Sequence, residues 1–230
     1  MSLGGANRPL DVTADIVFMV DSSASVGNAN YKKEKEFVKS LARLVNVTSE
    51  KSRVAVIAYS RSTIPVVRFD GYQSLDDLDK KVDDMPLLGE SYRRMDVALQ
   101  SAAQILNSAR QHTPKIAVLL TAGRQIPGGV SLDTATQPLR NLNVTVIVVA
   151  VGQQYDKQEL DPVVSEKKDL FEIESFNVLL LRARTIGKAI EEKSGNLLGV
   201  LDLSINLLAF YHECRSLIGY ATHYLFCDSE

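Results

Sequence analysis

The sequence predicts a doubly wound α/β fold: a mostly parallel, Rossmann-like sheet flanked by helices, with one antiparallel edge strand. Three observations carry this. Four short runs rich in Val and Ile show no polar alternation, the pattern of strands buried on both faces. Stretches with apolar residues at three- and four-residue spacing separate them, as amphipathic helices require. A further run contains Pro65, which has no N–H to give a ladder and so belongs on an edge.

The first run is Ile16–Val20, and it ends abruptly in Asp21, Ser23 and Ser25. Tyr31–Val45 follows as a helix, with Glu34, Phe37, Val38, Leu41, Ala42 and Val45 on one stripe and lysines opposite. Arg53–Tyr59 is the second strand. Thr63–Phe69 comes three residues later and is expected to fold back on it as a hairpin. Leu75–Val82 is a short acidic helix; Asp76, Asp77, Asp79, Asp83 and Asp84 alternate with lysines and read as a solvated face. In the helix Asp96–Leu106, Val97, Ala98, Ser101, Ala102, Ile105 and Leu106 share a stripe, and Asp96 is placed to cap its start. Lys115–Leu120 and Val144–Val151 are further buried strands, and Leu170–Ile173 is a short last one. Between them, Leu132–Leu142 is helical in pattern, but Pro138 predicts a late start or a kink. Val178–Glu192 is the final helix, with Leu181, Ile186, Ala189 and Ile190 facing inward. From Asn196 to Glu230 neither period is clean. The organisation expected is an N-terminal extension at 1–14, one domain at 15–193, and a C-terminal tail of uncertain structure at 194–230.

Of 230 residues, 45% are hydrophobic and 23% charged, with a formal net charge of −2. That balance argues against nucleic acid or an anionic membrane as main partner, since both call for basic patches. No stretch reaches the eighteen or so apolar residues of a spanning helix, and Leu197–Phe210 is too short and too polar for one. The N-terminus lacks the apolar run of a signal peptide; as a complete chain it would be cytosolic, and as a fragment it carries no address. Asn46-Val47-Thr48 and Asn143-Val144-Thr145 are N-glycosylation sequons that suit a secreted protein. Cys214 and Cys227 both fall in the tail, where they can be bridged or free. No nucleophile–base constellation and no phosphate-binding glycine loop follows the first strand, so the reading is non-enzymatic.

Asp21, Ser23 and Ser25 form a D-x-S-x-S pattern. One carboxylate and two hydroxyls at alternate positions of a strand-ending loop can converge on a hard cation such as Mg²⁺, which takes oxygen ligands. The same serines could instead cap the following helix.

Residues 15–192 resemble a von Willebrand factor type A domain, the fold of integrin I domains, matrilins and parts of several collagens. The residues that carry the resemblance are D-I-V-F-M-V-D-S-S-A-S at 15–25, S-R-V-A-V-I-A-Y-S at 52–60 and M-D-V-A-L at 95–99, followed by K-I-A-V-L-L-T-A-G-R at 115–124 and V-T-V-I-V-V-A-V-G at 144–152. The match is closest in style to extracellular-matrix members. It implies a metal-ion-dependent adhesion site for Mg²⁺ or Mn²⁺ built from three loops, the first supplying Asp21, Ser23 and Ser25. The second loop of the family supplies a Thr, and ungapped alignment on Ala98-Leu99 puts Arg93 there. The third supplies an Asp within L-T-D-G-R, and here Ala122 stands in L-T-A-G-R. A unit positive charge about 4 Å from a divalent ion, at an effective dielectric of ~20, costs about 8 kcal/mol. The expectation is therefore a degenerate site with weak or absent Mg²⁺ or Mn²⁺ binding and no cofactor, in which Arg93 or Arg124 pairs with Asp21.

The resemblance implies an extracellular, secreted adhesion module that binds matrix proteins such as collagens, other von Willebrand type A proteins, or copies of itself. The alternative it leaves open is an intracellular domain of the same class that serves as an assembly part of a larger complex.

Overall fold

The computed structural model describes residues 9–48 and 50–195. A six-stranded sheet has the order β3-β2-β1-β4-β5-β6. Its strands are β1 (Asp15–Asp21), β2 (Arg53–Tyr59), β3 (Thr63–Val67), β4 (Lys115–Thr121), β5 (Val144–Val151) and β6 (Leu170–Ile173). All neighbouring pairs are parallel except β2 with β3, which is antiparallel and carries Pro65 on the edge. The helices are α1 (Gly27–Leu44), α2 (Leu75–Asp83), α3 (Met95–Leu106), α4 (Leu132–Asn141), the single turns α5 (Lys157–Leu160) and α6 (Phe176–Leu179), and α7 (183–195).

The absence of polar alternation in the strands has its counterpart in two apolar cores, one on each side of the sheet. Ile16, Phe18 and Val20 of β1 point into the core shared with α1, α2 and α7. Val17 and Met19 point into the core shared with α3 and α4. All five are fully buried. Ahead of β1, Leu10, Val12 and Ala14 are also buried, and the Leu10 amide donates to the Leu44 carbonyl at 2.7 Å.

Several expectations need correction. Pro138 sits inside α4 without displacing its start: the Ser131 hydroxyl caps the Thr134 amide at 3.1 Å, and Leu132, Ala135, Thr136 and Leu139 bury the inner face. Burial of that face outweighs the one ladder bond the proline cannot make. On α3 the buried stripe runs through Met95, Ala98, Leu99, Ala102, Ala103, Ile105 and Leu106, while Val97 and Ser101 are only half-buried. Asp96 does not cap α3; it accepts both Nε and Nη2 of Arg94, at 2.8 and 2.7 Å. Leu181 is 77% exposed, because a 3₁₀ turn at Leu180–Arg182 interrupts the helical phase before α7. Asp79 turns inward from the acidic face of α2 and pairs with Arg43.

In a sheet of this order the crossovers leave β1 and β4 in opposite directions. The cleft beyond their C-terminal ends is where such folds bind ligands. Asp21 closes β1, and Ala122 follows β4.

Candidate adhesion site

Asp21 is fully buried at the end of β1. Its Oδ1 accepts the Ser23 amide at 3.0 Å, and its Oδ2 accepts the Ala122 amide at 3.2 Å. The β1–α1 loop that follows is held from outside by the segment 86–90. The Leu88 amide donates to the Ser22 hydroxyl at 2.7 Å, the Gly89 amide to the Ser22 carbonyl at 3.0 Å, and the Ala24 amide to the Glu90 carbonyl at 2.9 Å.

Segment 90–94 is stitched in turn to β2 and the β4–α4 loop. The Ser60 hydroxyl donates to the carbonyls of Glu90 and Tyr92, the Arg94 amide to the Ser60 carbonyl at 2.9 Å, and the Ile126 amide to the Arg93 carbonyl at 3.1 Å. These bonds fix the backbone of Arg93 and aim its side chain inward. Arg93 Nε donates to Asp21 Oδ2 at 2.5 Å; Nη2 donates to Ser25 Oγ at 2.5 Å and to Ser23 Oγ at 3.2 Å. Nη1 faces the Arg124 carbonyl at 3.4 Å. One guanidinium thus meets all three members of the D-x-S-x-S pattern, the fork-like geometry a point charge cannot reproduce. Burial works against the charge on Arg93, but the Asp21 carboxylate together with Tyr59 and Glu34 outweighs it, and the guanidinium is raised further above its ordinary value.

Two details were beyond the sequence. Of the two arginines it nominates, Arg124 points away and pairs with Asp156 at 3.2 Å; only its carbonyl belongs to the site. The serines do not cap α1, whose N-cap Val26 makes no side-chain cap bond. Ser23 and Ser25 sit 3.2 Å apart, oxygen to oxygen, with Arg93 between them and Asp21. Ala122 is half-buried and presents no donor atom from its side chain. Gly123 is a requirement of this arrangement: a Cβ there would lie 2.3 Å from Arg93 Nη1.

Beside this pair lies a second ionic contact, Arg94 with Asp96. Asp96 also accepts the Val130 amide at 3.2 Å, and its own amide donates to Gln125 Oε1 at 2.9 Å. The network ties α3 to the β4–α4 loop, and a Cβ on Gly129 would fall 2.3 Å from Asp96 Oδ2. The signal for it was Arg94 two residues before Asp96, an acid that position alone reads as a cap.

The two sequons occupy equivalent backbone positions. Asn46 and Asn143 both have φ of 53° and stand just past the C-caps of α1 and α4. Asparagine tolerates this left-handed conformation, so local geometry by itself accounts for the residue. Both lie at the end of the sheet where the parallel strands begin, opposite Asp21. Asn143 is exposed and Asn46 half-buried. Cys214 and Cys227 lie outside the described residues. Among the described residues no group of three or more His, Cys, Asp or Glu side chains is placed to hold a metal, and no helix is long and apolar enough to cross a membrane.

The sequence model of the von Willebrand factor type A domain matches residues 15–183. The Collagen alpha-5(VI) chain of Homo sapiens is 29% identical over 189 residues, covering 80% of this chain and 7% of that one. Matrilin-4 of Homo sapiens is 27% identical over 219 residues, covering 90% of this chain and 34% of its own length. The chain thus spans a small part of these relatives. Among solved structures, proximal thread matrix protein 1 from the mussel byssus matches with a TM-score of 0.73 at 24% identity, covering 77% of this chain and 48% of that one. A structure of that protein with a zinc-occupied MIDAS motif matches with a TM-score of 0.71. At this identity the likeness speaks for the fold.

Proposed function

The chain belongs to the von Willebrand factor type A domain family, and on that premise we propose that residues 15–193 form a non-enzymatic, extracellular protein-binding module in which an arginine stands where the family's adhesion site takes a divalent cation. The observation that carries this reading is the Arg93 guanidinium, whose Nε and Nη2 engage Asp21, Ser23 and Ser25 together. With those oxygens committed and Ala122 offering no carboxylate, the donor set does not fit Mg²⁺ or Mn²⁺, which need several free oxygens around them. The relatives named for collagen and for matrilin support a matrix setting over an intracellular one.

Without a cation to bridge, the module engages its partners through surface contacts. The partners proposed are matrix proteins such as collagens, other type A domains, or copies of this chain. Asn46 and Asn143 are the proposed glycan acceptors. Their place at the opposite end of the sheet would leave the Asp21 face uncovered.

The test is calorimetric titration of the chain with MnCl₂ and MgCl₂, alongside binding to a collagen-coated surface with and without EDTA. We expect no micromolar heat and no effect of EDTA. Micromolar Mn²⁺ affinity, or binding abolished by EDTA, would overturn the reading.

A further inference from the structure

One buried acid has no part in the arrangement above. Glu34 lies on the inward stripe of α1, between Tyr31 and Val38, where its 0% exposure matches that of Phe37 and Leu41. Among the described residues, neither of its carboxyl oxygens has a hydrogen-bond partner. The charged groups that face it are Asp21, from β1, and Arg93, from the segment before α3. The phenols that feel it are Tyr59, from β2, and Tyr31, from its own helix. Both phenols are held neutral by burial and already donate elsewhere, Tyr59 to the Leu120 carbonyl at 2.7 Å and Tyr31 to the Pro86 carbonyl at 2.9 Å. The fork of Arg93 is likewise committed. An ionised Glu34 would therefore be a second buried anion beside Asp21, with no cation of its own among the described residues.

We propose that Glu34 is a buried proton-binding site that couples pH to the adhesion site, holding α1 packed beneath the Asp21–Arg93 pair when protonated and loosening that packing when ionised. A neutral acid in this position costs only an unsatisfied polar group, whereas the ion costs far more. Burial pushes the Glu34 carboxyl well above the usual carboxylate range; the Asp21 charge pushes the same way, and Arg93 only partly opposes them. The direction of the linkage follows. The folded chain holds this proton to higher pH than the unfolded chain, whose glutamates titrate near about 4.3. The contribution to stability is fully present below that value and is lost as pH rises through the folded one. Because α1 begins directly after the loop that carries Ser23 and Ser25, loosening its first turns releases the loop that Arg93 binds. The proposal rests on the reading that Arg93 holds the site, and adds proton control to it.

The experiment compares the full chain with Glu34→Gln, which keeps the shape of the protonated acid and cannot ionise. Chemical unfolding is measured from pH 5 to 8. The unfolding constant of the unmodified chain is expected to rise relative to the variant by up to tenfold per pH unit, until the folded carboxyl is ionised. Parallel pH profiles would overturn the proposal. Hydrogen exchange reads the coupling to the site: protection of the Ser23 and Ala122 amides, corrected for intrinsic rates, should fall with pH in the unmodified chain only. Protection that is flat in both, or falls equally in both, would overturn it as well. If Glu34→Gln does not fold, carboxyl carbon NMR of the ¹³C-glutamate-labelled chain decides. One resonance should keep its protonated position well above pH 5, and a full set titrating in the ordinary range would refute the proposal. A Mn²⁺ titration of the same samples separates the two readings, because micromolar binding sinks the cation-free site without touching the Glu34 linkage.

Discussion

Replacing Arg93 with methionine removes the guanidinium while keeping an unbranched apolar stem of similar length. The side chain is 10% exposed and that of Asp21 0%, so solvent does little to screen the pair. Four contacts disappear: Asp21 and Ser25 at 2.5 Å each, Ser23 at 3.2 Å, and the long one to the Arg124 carbonyl at 3.4 Å. Hydrogen bonds to charged groups contribute about 1.5–3 kcal/mol each, but the variant also escapes the desolvation of the guanidinium. Removing one partner of a buried ion pair costs about 3–5 kcal/mol, chiefly because the other charge is stranded. Asp21 is not wholly stranded, since the amides of Ser23 and Ala122 still donate to it at 3.0 and 3.2 Å. The loss expected is therefore near the lower end, about 3 kcal/mol. Arg93→Lys should lose roughly half as much, because an ammonium can meet Asp21 but cannot span both serines. Urea unfolding followed by circular dichroism measures both, with the slope against denaturant checking that the two-state comparison holds. A methionine variant within about 1 kcal/mol of the unmodified chain, or a lysine variant as stable as it, would refute the claim that the fork organises this loop.

Gly123→Ala should cost about 1–3 kcal/mol by driving a Cβ into Arg93 Nη1; it should cost far less in the Arg93→Met background, and additive losses in the double mutant would show the two residues to be independent. Introducing Arg93→Thr together with Ala122→Asp rebuilds the oxygen set of the family pattern, so a Mn²⁺ heat signal should emerge that the unmodified chain lacks; its absence would mean that more than these two positions closes the site. At the other end of the sheet, Asp15 is fully buried and accepts Arg53 at 2.5 and 2.9 Å and Arg110 at 2.7 and 3.0 Å. Burial opposes its charge, but the bonds from the two arginines outweigh burial and hold the carboxyl below its usual range. Its stabilisation is present above about pH 3.9 and lost as pH falls through the lower folded value, so Asp15→Asn should be less stable at pH 7 and show a shallower acid limb; equal limbs in acid titrations of the two proteins would contradict this. Asn143→Ala should lose about 1 kcal/mol through the left-handed backbone while Asn143→Gly stays near neutral, an order that differential scanning calorimetry can check.

Local sequence determined the sheet and most of its helices. A strand buried on both faces must be apolar at every position, and a packed helix must repeat every three to four residues; Ile16–Val20, Ile116–Leu120 and Val146–Val151 meet the first demand and Phe37, Val38 and Leu41 the second. Loop chemistry was also legible in part, since Asp21, Ser23 and Ser25 stand within five residues of one another. Only tertiary structure decided how the long polar side chains were spent. Arg93 and Arg124 are equivalent on paper, yet hydrogen bonds from Ser60 and Ile126 aim the first inward, while Asp156 draws the second out. Asp96 reads as a helix cap until Arg94 folds over it, and Glu34 reads as one acid on a mostly apolar stripe until the sheet closes it off from water. A charge finds its partner across tens of residues of chain and through whatever solvent the fold leaves it, and neither distance nor solvation is written in the spacing of neighbours.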